Sequence, residues 1–176
     1  MTTESDARKL AEDGKTSFQA GRFESAVGSF RSAAQGYAEL GDHVNEAEQR
    51  NNLSVTLLKT GHAQEALEAA TGTDDVFAGA GDIRRRGMAF NNQAAALESL
   101  GRWDEALAAY ERSAQLLAEA REGELRSLAL KAAAAMQLRR GKIAESGIRM
   151  IGVLEARDRP SIFERILKFL LRVPPR

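Results

Sequence analysis

The sequence predicts an all-α solenoid of four helix pairs closed by a C-terminal capping helix. Three observations carry that prediction. Glycines stand at 21, 61, 101 and 141, forty residues apart without drift. Each opens a related phrase: GRFESAVGSFRSA (Gly21–Ala33), GHAQEALEAATGT (Gly61–Thr73), GRWDEALAAYERS (Gly101–Ser113) and the eroded GKIAESGIRMIGV (Gly141–Val153). A second mark falls halfway between them, at Gly41-Asp42, Gly81-Asp82 and the weaker Arg121-Glu122. Finally, all three prolines lie beyond residue 159, so the chain before Pro160 can be helical almost throughout. A fixed period of this length marks stacked supersecondary units, each burying its apolar face against its neighbours.

The elements follow in order. Thr3–Ala20 reads as the first helix, capped by Ser5 or Asp6, with Leu10, Gly14, Ser17 and Phe18 at helical spacing on its inner face. Arg22–Leu40 is the second, with Phe23, Ala26, Val27, Phe30, Ala33 and Tyr37 on one side. Gly41 ends it in a left-handed cap and Asp42 caps the third, His43–Thr60. The fourth begins at Ala63, but Thr71-Gly72-Thr73-Asp74-Asp75 should fray, kink or split it, because glycine costs about 1 kcal/mol inside a helix and Thr and Asp favour caps. Then come Ile83–Leu100, Trp103–Ala120, Glu122–Arg139 and Ile143–Ala156. The repeats are thus about 3–40, 43–80, 83–120 and 122–156, in an array spanning 3–156. Residues 157–160 form a turn, and 161–171 a last amphipathic helix whose Ser161 and Glu164 make a capping box. Residues 172–176 are a tail.

Composition narrows the function. Lys+Arg and Asp+Glu both number 25, which argues against nucleic-acid binding, since that needs an excess of positive charge. There is no cysteine, hence no disulfide and no thiolate metal site. MTTESDARKL holds no apolar run, so no signal peptide is expected, and a cytoplasmic location is. No stretch has the length and apolarity of a membrane span.

The pattern resembles tetratricopeptide (TPR) repeats. Counting from each repeat glycine, that family wants a small residue seven places before, where Gly14, Ser54, Ala94 and Ala134 stand. It wants alanine five places after, matched by Ala26, Ala66 and Ala106 and nearly by Ser146, and an aromatic nine after, matched by Phe30 and Tyr110 but not by Ala70 or Met150. Two places after comes an apolar plug: Phe23, Ala63, Trp103 and Ile143. Small residues let helix backbones approach, and large ones fill the gaps between pairs. The forty-residue period, with Asn51-Asn52-Leu53-Ser54 and Asn91-Asn92-Gln93-Ala94, is similar to the long repeats of kinesin light chains and Pins-like adaptors. The resemblance implies a right-handed superhelix whose first helices line a concave groove, and a protein-interaction module rather than an enzyme, with a protein or peptide as partner.

On that implication Asn52 and Asn92 fall on the groove face, where a carboxamide can pair with a peptide backbone. The alternative is a solvated face or an inter-helix bond. Asn51 and Asn91 are weaker candidates that would face a neighbouring helix. Lys15, Glu48, Lys59, Met88, Lys131 and Arg139 belong to the same face, with Arg8, Glu12 and Glu98. The clamp by which some relatives hold a chaperone's C-terminal carboxylate is not matched: Ala11, Lys15, Asn52, Met88 and Asn92 occupy its places and only Asn52 fits.

Arg84-Arg85-Arg86 reads either as an acidic-partner patch or as a solvated turn paired with Asp74 and Asp75. Gly14-Lys15-Thr16 imitates the end of a phosphate-binding loop, but Lys9 stands where that loop needs glycine and no strand precedes it. His43 and His62, the only histidines, begin separate helices without metal-ligand spacing, so neither metal nor cofactor is expected. In the last helix Ile162, Phe163, Ile166, Phe169 and Leu170 oppose Arg165, Lys168 and Arg172. That face serves as the cap of the array, as a homodimer contact or as a membrane-surface contact, the last being the weakest at so short a length.

Overall fold

The elements of the chain are set by a turn that recurs every twenty residues. The backbone N–H of Arg22 reaches back to the carbonyl of Ser17, Asp42 to Tyr37, His62 to Leu57, Asp82 to Phe77, Arg102 to Leu97 and Glu122 to Leu117, each at 2.8–2.9 Å. The residue before each donor has positive φ, at Gly21, Gly41, Gly61, Gly81, Gly101 and Arg121. This is the left-handed helix stop, in which a single residue at positive φ lets the chain reverse while two terminal carbonyls stay bonded. Glycine takes that conformation without penalty; Arg121, at φ 60°, does not.

The computed structural model of the chain describes residues 3–139, 148–151 and 153. They form α1 (Glu4–Gln19), α2 (Phe23–Glu39), α3 (His43–Lys59), α4 (Ala63–Ala70), α5 (Thr73–Gly79), α6 (Ile83–Ser99), α7 (Trp103–Glu119) and α8 (Gly123–Arg139), with no strand among them. Residues 148–151 and 153 are helical as well. The cap of α1 is Thr3 rather than Ser5 or Asp6: its hydroxyl accepts from the Asp6 N–H while the Asp6 carboxylate accepts from the Thr3 N–H, a capping box one register earlier than expected. Asp42 caps α3 as expected, accepting from the Asn45 N–H, and Asp82 does the same for α6 with the Arg85 N–H.

Consecutive helices pack on one another, except that α4 and α5 each pack between α3 and α6, and those two first helices of successive repeats also touch. The contacts rest on small residues. Ser54, Ala94 and Ala134 are fully buried, and a Cβ on Gly14 would stand 2.7 Å from the Phe30 ring. Ala26, Ala66 and Ala106 are likewise fully buried, with Phe30 and Tyr110 nearly so. The core is therefore spread in patches along the array, as a solenoid requires. A second close approach escapes the glycine-centred reading. Gly87 lies so near α7 that a Cβ would meet Leu117 Cγ at 2.8 Å, and Ala7, Ala47 and Ser127 are buried at the same place in the other repeats. Trp103 is not a plug: 42% of it is exposed, beside Gly101 at the opening of α7.

The second repeat splits, as its composition foretold. Thr71 turns extended (ψ 131°) and Gly72 left-handed (φ 79°), yet α4 and α5 together fill the span that one helix fills elsewhere, so the repeat phase is kept. Neighbouring helices satisfy the carbonyls released by the break. Arg50 of α3 donates to Glu68 O (3.3 Å) and Thr71 O (2.7 Å). Gln93 of α6 donates to Ala70 O (3.2 Å), and the Thr73 hydroxyl reaches the same oxygen at 2.7 Å. The last helix, with Ile162, Phe163, Ile166, Phe169 and Leu170, lies outside the described residues, as do the first residues of the fourth repeat's second helix.

Candidate peptide-binding groove

The groove is built from the first helix of each repeat. Residues four apart on one helix share a face, and residues forty apart share a register. On α3 that face carries Glu48, Asn52 and Val55; on α6 it carries Arg84, Arg85, Met88 and Asn92. Together with Asn51 and with Phe77 of α5 beneath, they line a cavity of about 310 Å³ between the second and third repeats. A smaller cavity of about 160 Å³ continues it toward the N-terminus, lined by Lys15, Phe18, Gln19, Phe30, Asn52 and Val55. Asn52 and Val55 line both, so the two cavities adjoin across α3 and together make up the channel.

Of the residues expected on this face, the structure brings Lys15, Glu48, Asn52, Met88 and Asn92 together along that channel. Lys59 is exposed at the end of α3, forty residues on from the lining residue Gln19. The Arg139 side chain, in the same register, lies outside the described ones. Lys131 is half-buried in the register of Asn51 and Asn91. Asn91 is half-buried.

The carboxamides are already held by the protein on one side. Asn52 Nδ2 donates to Gln49 Oε1 at 3.3 Å. Asn92 Nδ2 donates across the repeat boundary to Asn51 Oδ1 at 3.1 Å, and Asn51, only 8% exposed, also accepts from the Thr73 hydroxyl at 3.4 Å. Asn51 is thus an inter-repeat tie. The oxygens of Asn52 and Asn92 carry no bond within the described residues and are open to an N–H donor.

Arg84 and Arg85 belong to the groove rather than to a separate patch. The arginines do not pair with Asp74 and Asp75; Asp74 instead accepts from Gln93 at 2.8 Å. Arg85 is clamped between Asp82 (2.7 Å) and Glu48 (3.1 Å), with its guanidinium 5.1 Å from the Phe77 ring centre. Hydrogen bonds from Arg85, led by its backbone N–H, hold the Asp82 carboxyl below the usual carboxylate range, and the Asp82 partner raises Arg85 in turn. Arg84 reaches Glu122 of the next repeat at 2.7 Å. Arg86 turns away: its Nε is buried and has no partner among the described residues. Arg84 is absent from the groove face expected in sequence, although its i, i+4 spacing with Met88 and Asn92 is a signal that places it there. Val55 and the Phe77 floor had no such signal, since an apolar residue at helical spacing reads equally as core.

Further along, Tyr110 donates to Glu98 Oε2 at 3.0 Å, and burial, helped by that carboxylate, raises its phenol well above the ordinary value. Among the described residues no helix is long and apolar enough to cross a membrane, and no three His, Asp or Glu side chains are placed to hold a metal ion.

No protein-family model matches the chain, and no curated protein matches it. Solved structures do. One is the crystal structure of the Podosopora anserina putative kinesin light chain with nearly identical TPR-like repeats: TM-score 0.76 at 18% identity, covering 97% of this chain and 84% of that one. Another is BtubC (BKLC) from P. vanneervenii, TM-score 0.78 at 16% identity over 97% of this chain and 66% of that one. A third is the MamA protein, TM-score 0.51 at 16% identity, with 96% and 98% covered. At such identities the likeness shows the fold, an α-solenoid of TPR-like helix pairs.

Proposed function

We propose that this TPR-like repeat protein is an interaction adaptor that captures an extended peptide segment of a partner protein in its concave groove. The observation that supports the reading is the channel itself. Two adjoining cavities, lined by Phe77, Phe30 and Val55, lie beside two carboxamides whose oxygens take no bond among the described residues and can accept backbone N–H groups. A concavity with an apolar base and convergent polar groups is a form that binding sites take, and here Val55, Phe77 and Met88 stand among Glu48, Asn51, Asn52, Arg84, Arg85 and Asn92. Asn52 and Asn92 hold the ligand backbone, Asn51 holds Asn92, and Lys15, Glu48 and Met88 select side chains. Lys59, Lys131, Arg139 and Asn91 extend the same surface. Arg84 offers a guanidinium to a ligand carboxylate in exchange for Glu122, an exposed pair of small worth. The chemistry is equilibrium binding, with no covalent step.

A photo-crosslinking residue placed at Met88, with a matched control at the exposed Gln35 of α2, tests this in native extract. A partner trapped from position 88 and not from 35 supports the groove. Trapping from 35 alone, or from neither, counts against it.

A further inference from the structure

Forty-residue registers let the groove face be followed past the two cavities. In the register of Glu48 and Met88 stand Arg8 before and Leu128 after. In that of Asn52 and Asn92 stand Glu12 and Ala132; in that of Val55 stand Lys15, Ala95 and Ala135. The face is therefore charged on α1 and carboxamide-bearing on α3 and α6, and the register of Met88 continues on α8 as a leucine, with Lys131 and Arg139 in neighbouring registers of that helix. Leu128 is 60% exposed, and Ala135 is exposed as well. A single exposed leucine carries no message. One that continues a ligand-facing register beside Met88, among alanines that leave room around it, does.

We propose that the groove reads its peptide by zones. One end of the partner segment carries a large apolar side chain, seated between Met88 and Leu128. The middle is read through its backbone by Asn92 and Asn52. The other end is polar and charged, opposite Arg8, Glu12 and Lys15. Four first helices, spaced on the order of 10 Å apart, set the span at about 30 Å, which is roughly nine residues of extended chain. The Lys15–Glu12 pair at the charged end is exposed and lies on one helix, so both groups can exchange onto a ligand. The proposal rests on the groove reading above and adds the order of chemistry along the ligand.

The test uses the full chain and a library of random dodecapeptides displayed on phage. Peptides selected on the native protein are then measured against Leu128→Glu and Asn52→Ala, with the thermal melt of each variant as a fold control; Leu128→Gln serves as a second, uncharged variant. The proposal expects selected peptides to share a large apolar residue near one end and to lose at least tenfold in affinity for Leu128→Glu, less for Leu128→Gln. If they weaken with Asn52→Ala and bind both Leu128 variants as before, the zoning is wrong and the groove reading stands. Binding unchanged in all variants, or no enrichment, overturns both. Enriched sequences that copy the apolar and basic pattern of residues 161–171 would make the chain's own C-terminal segment or a second copy the occupant, and would overturn the foreign-partner assignment.

Discussion

At the scale of single residues, the chain shows how much one position can carry. Arg121 occupies a left-handed site that glycine fills at the five other turns of this kind among the described residues. A side chain there costs about 1–2 kcal/mol, partly offset by the greater unfolded-state freedom of glycine. Arg121→Gly should therefore stabilise the array by about 0.5–1 kcal/mol in urea denaturation. Asp82 is held ionised in the folded chain, so its contribution is present above its unfolded pKa and lost as pH falls through the lower folded value. Asp82→Asn keeps a capping oxygen and removes the charge, so stability followed below pH 4 should fall less steeply than in the native chain. Asn51 is the weaker ligand candidate of the Asn51-Asn52 pair in sequence; its burial and its two accepted bonds make it the tie between repeats.

At the scale of elements, helix boundaries were legible because the chain repeats its own stop signal. Glycine at positive φ followed by a capping carboxylate, at Gly41-Asp42 and Gly81-Asp82, leaves little choice of where helices end. The split of the second repeat was legible too, from Thr71-Gly72-Thr73. What the sequence did not disclose is who satisfies the broken ends, because Arg50 and Gln93 are distant in sequence and their roles depend on packing. Arg50→Ala should cost about 1–2 kcal/mol, since charged hydrogen bonds to two carbonyls are lost. Amide exchange around residues 71–75 should speed up more than in α7. The closeness of α6 to α7 at Gly87 was hidden because other repeats place Ala or Ser there, and small residues at helical spacing read as ordinary packing. Gly87→Ala drives a methyl onto Leu117 and should cost about 1–3 kcal/mol in thermal denaturation.

At the scale of the whole molecule, a spread-out core and a long open face are two consequences of one arrangement. Because every repeat buries small residues only against its neighbours, the first helices recur in one register, with α3 against α6, and the same places are filled from Arg8 to Leu128. The repeat period carries the architecture, and the resemblance built on it points to six of the residues that line the two cavities, Lys15, Glu48, Asn51, Asn52, Met88 and Asn92. It did not give the electrostatics. The arginine run reads in sequence as an acidic-partner patch or as a turn paired with Asp74 and Asp75, whereas Arg84 and Arg85 tie consecutive repeats through Glu122 and Glu48. Such cross-repeat pairs should make the array modestly salt-sensitive.

The central claim is that binding occurs through the concave face. The most direct measurement is calorimetric titration of the partner segment trapped at position 88 against the native chain, Asn52→Ala, Met88→Glu and the α2 control Gln35→Ala. The account predicts a loss of roughly 3- to 10-fold for Asn52→Ala, one or two hydrogen bonds' worth. It predicts more than tenfold for Met88→Glu, which places a charge on the apolar floor, and no change for Gln35→Ala. Equal affinity for all four proteins, with their folds intact, would contradict it.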